Sequence, residues 1–165
     1  TNTKYNPELV KREFDEGHYI ANHGYTHKYS TVYASPEATL DEYNFTQQAI
    51  RDALGNQNYK SKVFRFPGGS NGGHYHEAKQ NSKAFLRESG IVHLDWNCLS
   101  KDAEGANSKE TLMQNIIDTM GDKDSVVILM HDASDKILTY EMLPELISYL
   151  REKGYKFQTI YDLLD

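Results

Sequence analysis

Ser125-Val-Val-Ile-Leu-Met-His-Asp132 is the most apolar stretch of the chain. From Val126 to Met130 no polar residue interrupts it, so Ser125 to His131 reads as a strand buried on both faces, as in a parallel sheet covered by helices. His131 then falls at the end of the strand. In parallel α/β folds that end builds the active site.

Working outward, the same alternation repeats. Ser108 caps a predicted helix bearing Leu112, Ile116, Ile117 and Met120, which Gly121 breaks. Before it, a helix from about His76 to Ser89 closes at Gly90, and Ile91 to Asn97 follows as a strand ending in Asp95, Trp96 and Asn97. Ser35 and Pro36 open a helix with Leu40, Tyr43, Ala49 and Ile50 on an apolar face, Gly55 stops it, and Lys62 to Phe66 is the next strand. Asn6 and Pro7 open the first helix, which carries Leu9, Val10 and Phe14 as far as Gly17, and His18 to His23 reads as a short strand. Downstream, Tyr140 to Lys153 is helical, Gly154 ends it, Tyr155 to Ile160 makes a last strand and Tyr161 to Leu164 a short helical turn. The pattern predicts a parallel sheet with helices outside it, as an open doubly wound sheet or a (β/α) barrel. About five strands are visible, few for a closed barrel.

Composition bounds what such a fold can do. The 165 residues, 38% hydrophobic and 25% charged, suit a single folded domain over 1–165. The net charge of -6 and the scattered Lys and Arg argue against a nucleic-acid partner. No stretch approaches the roughly 18 apolar residues of a membrane span. Cys98 is the sole cysteine, so no intrachain disulfide forms and redox chemistry does not reveal the compartment.

Several polar residues cluster where strands end. His23 and His27 are spaced so that one helical turn would aim both imidazoles at a shared metal, with a further ligand required; the same spacing also describes surface histidines capping a turn. Arg65-Phe-Pro-Gly-Gly-Ser offers a guanidinium able to grip a carboxylate and a turn whose amides can stabilise an oxyanion. Alone, it reads first as an ordinary turn after a surface arginine. His131 is placed to donate or accept a proton near neutral pH, and Asp95 or Asp102 could fix its tautomer. The remaining carboxylates, Asp15 and Glu16 among them, read as solvated helix faces.

Taken together these segments resemble the polysaccharide deacetylases with NodB homology, carbohydrate esterase family 4, over essentially the whole chain. Gly17-His-Tyr-Ile-Ala-Asn-His-Gly-Tyr-Thr-His27 is similar to the family's second motif, which implies that His23 and His27 bind a divalent metal, most often zinc. Arg65-Phe-Pro-Gly68 resembles the third motif, implying that Arg65 orients the catalytic base and that the Gly68 amide stabilises the oxyanion, with glycine in place of the family's tyrosine. Trp96-Asn-Cys-Leu-Ser-Lys-Asp-Ala103 is similar to the fourth motif and favours Asp102 over Asp95 as the partner of the catalytic histidine. Trp96 belongs to this motif and is included in the candidate substrate site, while Ala103 replaces the tryptophan that would line the acetyl pocket. Ile128-Leu-Met-His-Asp132 resembles the fifth motif, making His131 the general acid and Leu129 a wall of the acetyl pocket.

The resemblance implies a distorted (β/α) barrel and metal-dependent removal of N-acetyl groups from a polysaccharide such as peptidoglycan, at the cell surface or secreted. The family's first motif, T-F-D-D, holds the base and a further metal ligand and would precede Asn6; these 165 residues do not contain it. The expectation is that an N-terminal segment supplies those aspartates together with the first strands of the barrel. The alternatives are an inactive carbohydrate-binding remnant, or an esterase or amidase acting on acetylxylan or a non-sugar amide.

Overall fold

The computed structural model describes residues 2–164. In chain order its elements are α1 (Asn2–Tyr5), α2 (Pro7–Asp15), α3 (Tyr29–Val32), α4 (Pro36–Leu54), β1 (Val63–Phe64), α5 (His76–Glu88), β2 (Val92–His93), β3 (Cys98–Leu99), α6 (Lys109–Met120), β4 (Ile128–Leu129), α7 (Ile137–Glu152) and α8 (Tyr161–Leu164). They form two compact units. One runs through Asp95 and takes in the C-terminal residues from Thr159; the other is Trp96–Gln158.

In the first unit β1 and β2 pair in parallel, Val63 with Val92 and Phe64 with His93, and Asn22 forms a parallel bridge on Phe64. Helix α4 is the crossover between Asn22 and β1, and α5 the crossover between β1 and β2. The start of α4 follows its sequence signals: the Ser35 hydroxyl accepts from the Ala38 amide at 3.1 Å, Pro36 occupies the first turn, and Gly55 caps the far end in the left-handed region with φ 62°. The core joins Val32, Tyr33, Tyr43, Phe64, Phe66, Leu86 and Ile91. The first helix departs from expectation, because Asn6 makes no side-chain capping bond and Leu9 is exposed.

The expected strand over His18–His23 is reduced to Asn22, and the hydrogen bonds explain why. The Asn22 amide donates to the Val63 carbonyl and the Arg65 amide to the Asn22 carbonyl, as a parallel ladder requires. The next bond would run from the Gly24 amide to the Arg65 carbonyl. Instead the His23 imidazole takes that carbonyl through Nδ1 at 2.5 Å, and Gly24 N–H turns back to the Asn22 Oδ1 at 3.1 Å. Two side chains thus end the ladder and release the chain into a loop.

In the second unit β3 and β4 pair in parallel, Cys98 with Ile128 and Leu99 with Leu129. Ser108 caps α6 by accepting from the Thr111 amide at 3.2 Å. The core gathers Cys98, Leu112, Met113, Ile116, Met120, Met142, Leu146 and Leu150 from β3, α6 and α7. The run Ser125–His131 is shorter as a strand than expected and is half-buried at Ile128 and Leu129 rather than covered on both faces. Its earlier residues are held by a side chain: Asn97 Oδ1 accepts from the Val127 amide at 2.8 Å, and Asn97 Nδ2 donates to the Ser125 carbonyl at 2.9 Å. An amide side chain does there what a neighbouring backbone does further along.

Helix α7 begins at Ile137, ahead of the expected Tyr140, and tolerates Pro144 inside it. Residues 155–160, expected as a strand, form none. The Tyr155 amide is drawn back to the Leu150 carbonyl in the helix-ending turn, and its hydroxyl donates to the Lys123 carbonyl.

Candidate active-site residues in the two units

His131 leaves the end of β4 and meets Asp102, which lies three residues beyond β3. One carboxylate oxygen of Asp102 accepts from the His131 backbone amide at 2.7 Å and the other contacts His131 Nδ1 at 2.7 Å. The Thr139 hydroxyl, from the start of α7, donates to the same carboxylate at 3.2 Å. An ionised carboxylate only accepts, so Nδ1 carries the hydrogen and the ring's chemically available nitrogen is Nε2. Asp102's side chain is 3% exposed while that of His131 is 39% exposed, so the pair has a buried anchor and an accessible working end.

Burial pushes the Asp102 carboxyl up, but the hydrogen bonds from the His131 ring and backbone, the histidine's charge and the Thr139 hydroxyl outweigh it and leave the group below its ordinary value. Asp95, the other candidate for that pairing, is engaged elsewhere. It accepts from the Ser70 amide and, at 2.6 Å, from the Ser70 hydroxyl.

The structure places His23 and His27 with ring centroids 4.9 Å apart. They are not on a helical turn as the spacing suggested. His23 follows the Asn22 bridge and His27 sits in the left-handed region at φ 58°, so the loop and not helical periodicity brings the rings together. The carbonyl of Arg65 accepts only, so His23 Nδ1 carries a hydrogen, and any metal contact by this ring would have to be made through Nε2. Among the described residues no group of three or more His, Cys, Asp or Glu is arranged to hold a metal, and two imidazoles seldom suffice as a site.

Arg65 extends the same segment and is half-buried; desolvation lowers its guanidinium's pKa and the charge of Asp95 opposes that. After it, Phe66-Pro67-Gly68-Gly69 is a turn closed by the Gly69 amide on the Phe66 carbonyl at 2.8 Å, with φ 73° at Gly68. Proline followed by a left-handed residue is the type II pattern. A Cβ on Gly68 would collide with the Tyr29 hydroxyl, so the ring of Tyr29 fills the space a side chain there would need.

The Tyr33 hydroxyl donates to the Pro67 carbonyl at 2.6 Å. Among the described residues no peptide bond is cis, so the C=O and N–H of the Pro67–Gly68 peptide point in opposite directions. Tyr33 therefore aims the Gly68 amide outward, as an oxyanion donor must be aimed. Lys79, almost fully buried, lies beneath, its ammonium 3.5 Å from the Gly68 and Gly72 carbonyls and over the rings of Tyr29 and Tyr33. Sequence reading missed Tyr33 and Lys79, because a tyrosine and a lysine on amphipathic segments carry no pattern that separates them from packing or solvated residues.

Leu129 lies half-buried in β4, its carbonyl accepting from the Ser100 hydroxyl at 3.1 Å, and Trp96 is half-buried in the same unit.

A sequence profile of the polysaccharide deacetylase family matches residues 1–85. The chain belongs to that family. It is 33% identical over 170 residues to a peptidoglycan-N-acetylglucosamine deacetylase of Bacillus cereus, covering 98% of this chain and 57% of that one. Among solved structures, a family 4 carbohydrate esterase from Streptococcus mutans superposes with a TM-score of 0.82 at 29% identity, covering 94% of this chain and 68% of that one. A family 4 pseudoenzyme from Bacillus anthracis superposes with a TM-score of 0.76 at 25% identity, covering 99% of this chain and 52% of that one. The chain spans a little over half the length of the first curated relatives it matches. The fold is that of the family's α/β deacetylase domains.

Proposed function

We propose that the chain serves a metal-dependent hydrolase that removes the acetyl group from N-acetylglucosamine residues of a polysaccharide, with peptidoglycan as the substrate class. The observation that carries the reading is the Asp102–His131 pair, a buried carboxylate fixing one imidazole nitrogen while the other stays accessible. The named activity of the Bacillus cereus relative supports the substrate class. A peptidoglycan substrate would set the work outside the membrane, and no helix among the described residues is long and apolar enough to cross one.

His23 and His27 are the residues that would hold the ion, with zinc the ion their chemistry suits best. When bound, the ion polarises the acetamide carbonyl and makes water a stronger nucleophile. The chain's own residues do the rest. The Gly68 amide, aimed by Tyr33, donates to the carbonyl oxygen as negative charge develops. His131, protonated, gives its Nε2 hydrogen to the sugar nitrogen as the C–N bond breaks, so the amine leaves neutral and acetate forms with the oxygen of water. Asp102 stabilises the imidazolium before that transfer and holds the ring in place. Arg65 and Leu129 are assigned to orienting the base and bounding the acetyl group, and the base would be the aspartate of the family's first motif.

Acetate release from N-acetylglucosamine oligomers and from peptidoglycan tests the reading. The expected result is release that a chelator abolishes and zinc restores. Glycan binding without acetate release, unchanged by the chelator, would instead support an inactive carbohydrate-binding domain.

A further inference from the structure

The metal-binding reading depends on a loop that has no regular structure of its own. Residues 23–28 make no helix and no ladder, yet they must hold two imidazoles at a fixed separation, with His27 in a left-handed conformation that ordinarily costs a non-glycine residue of order 1–3 kcal/mol. Something outside the loop must hold it.

Helix α4 supplies that support. Glu42 is 4% exposed, although a glutamate on an amphipathic helix is ordinarily turned to water. One of its carboxylate oxygens accepts from the backbone amides of both Tyr25 and Thr26 at 2.7 Å each, and the other accepts from the Thr26 hydroxyl at 2.9 Å. Thr26 Oγ1 in turn accepts from the Lys28 amide at 3.2 Å. The bonds thus reach both sides of His27. Gly24 sits in the left-handed region at φ 81°, which suits glycine, and a Cβ there would be in ordinary contact, 3.5 Å, with the same Glu42 oxygen. On the next residue of α4, the Tyr43 carbonyl accepts from Asn22 Nδ2 at 2.9 Å and fixes the residue before His23.

We propose that Glu42 is a positioning residue for the His23–His27 pair: its buried carboxylate clamps the loop between the two rings and sets the separation at which they receive a divalent ion. A carboxylate suits the task because it offers two acceptor oxygens and no donor to three converging N–H and O–H groups. The inference rests on the metal reading above for its purpose, but the clamp itself is a claim about this chain alone.

Two measurements on the whole protein, zinc titration by calorimetry and amide hydrogen exchange, test it together. In Glu42→Ala the Tyr25 and Thr26 amides lose their acceptor and exchange at least tenfold faster, and the zinc Kd rises about tenfold to a hundredfold. Glu42→Gln rescues most of both, because its amide oxygen still accepts from the two backbone N–H groups and its NH2 can donate to Thr26 Oγ1. Should Glu42→Ala fail to fold, Thr26→Val, which removes only the hydroxyl, gives a smaller rise in Kd in the same direction.

Unchanged exchange and unchanged zinc affinity in a folded Glu42→Ala would overturn the proposal. So would equal losses in Glu42→Gln and Glu42→Ala. Zinc binding that is absent, or indifferent to His23→Ala and His27→Ala, while Tyr25 and Thr26 still lose protection, would leave the clamp standing as a feature of the loop and remove the metal reading and the purpose assigned to the clamp.

Discussion

At the scale of single residues, catalysis in this account reduces to which atoms can accept and which can donate. Asp102→Asn presents an NH2 where Nδ1–H of His131 needs an acceptor, so the ring turns or changes tautomer, and kcat is expected to fall at least tenfold with little change in KM. Tyr33→Phe keeps the ring but releases the Pro67 carbonyl, so the Gly68 amide loses its fixed direction; the expected fall in kcat is of the order of tenfold, measured by acetate release. Acid should reveal the Asp102 pair as well. Its folded-state carboxyl lies below the ordinary 3.8, so the unfolded chain takes up the proton first as pH falls. The stabilisation is therefore complete above the ordinary carboxylate range and is lost as pH drops through the folded value. Urea midpoints of wild type and Asp102→Asn should therefore draw together as pH falls below the ordinary carboxylate value of 3.8. Sequence singles out residues whose chemistry is written in their type, as with the histidines, and passes over those whose role is written in burial. Glu42 looks like any helix-surface glutamate until three donors are seen converging on it.

Among the elements, helices were legible and strands much less so. Ser35 with Pro36, Gly55, Ser108 and Gly121 act within a few residues of chain, so the bounds of α4 and α6 follow from local chemistry. The strands depend on partners distant in sequence, and side chains intervene in their ladders. His23 takes the Arg65 carbonyl, and Asn97 takes both bonding groups beside Val127, neither of which a hydrophobic pattern encodes. The caps and cores make separable predictions. Ser108→Ala should cost about 1 kcal/mol by removing the bond to the Thr111 amide, read as a lower urea midpoint with unchanged slope. Leu146→Ala, a position 2% exposed in the core between α6 and α7, should cost about 2–5 kcal/mol.

For the whole molecule, the alternation of helix and strand predicted a parallel α/β fold, and the solved relatives are of that kind. The candidate residues are divided between two units: the histidine loop and the Gly68 turn in the first, the Asp102–His131 pair in the second. The chain's net charge of -6 argues against a nucleic-acid partner. The central claim is that His131 protonates the departing amine, and acetate release from an N-acetylglucosamine oligomer by wild type and His131→Ala tests it most directly. The expected result is a fall in kcat of about 10²- to 10⁴-fold with zinc binding retained. Equal rates in the two proteins would contradict it.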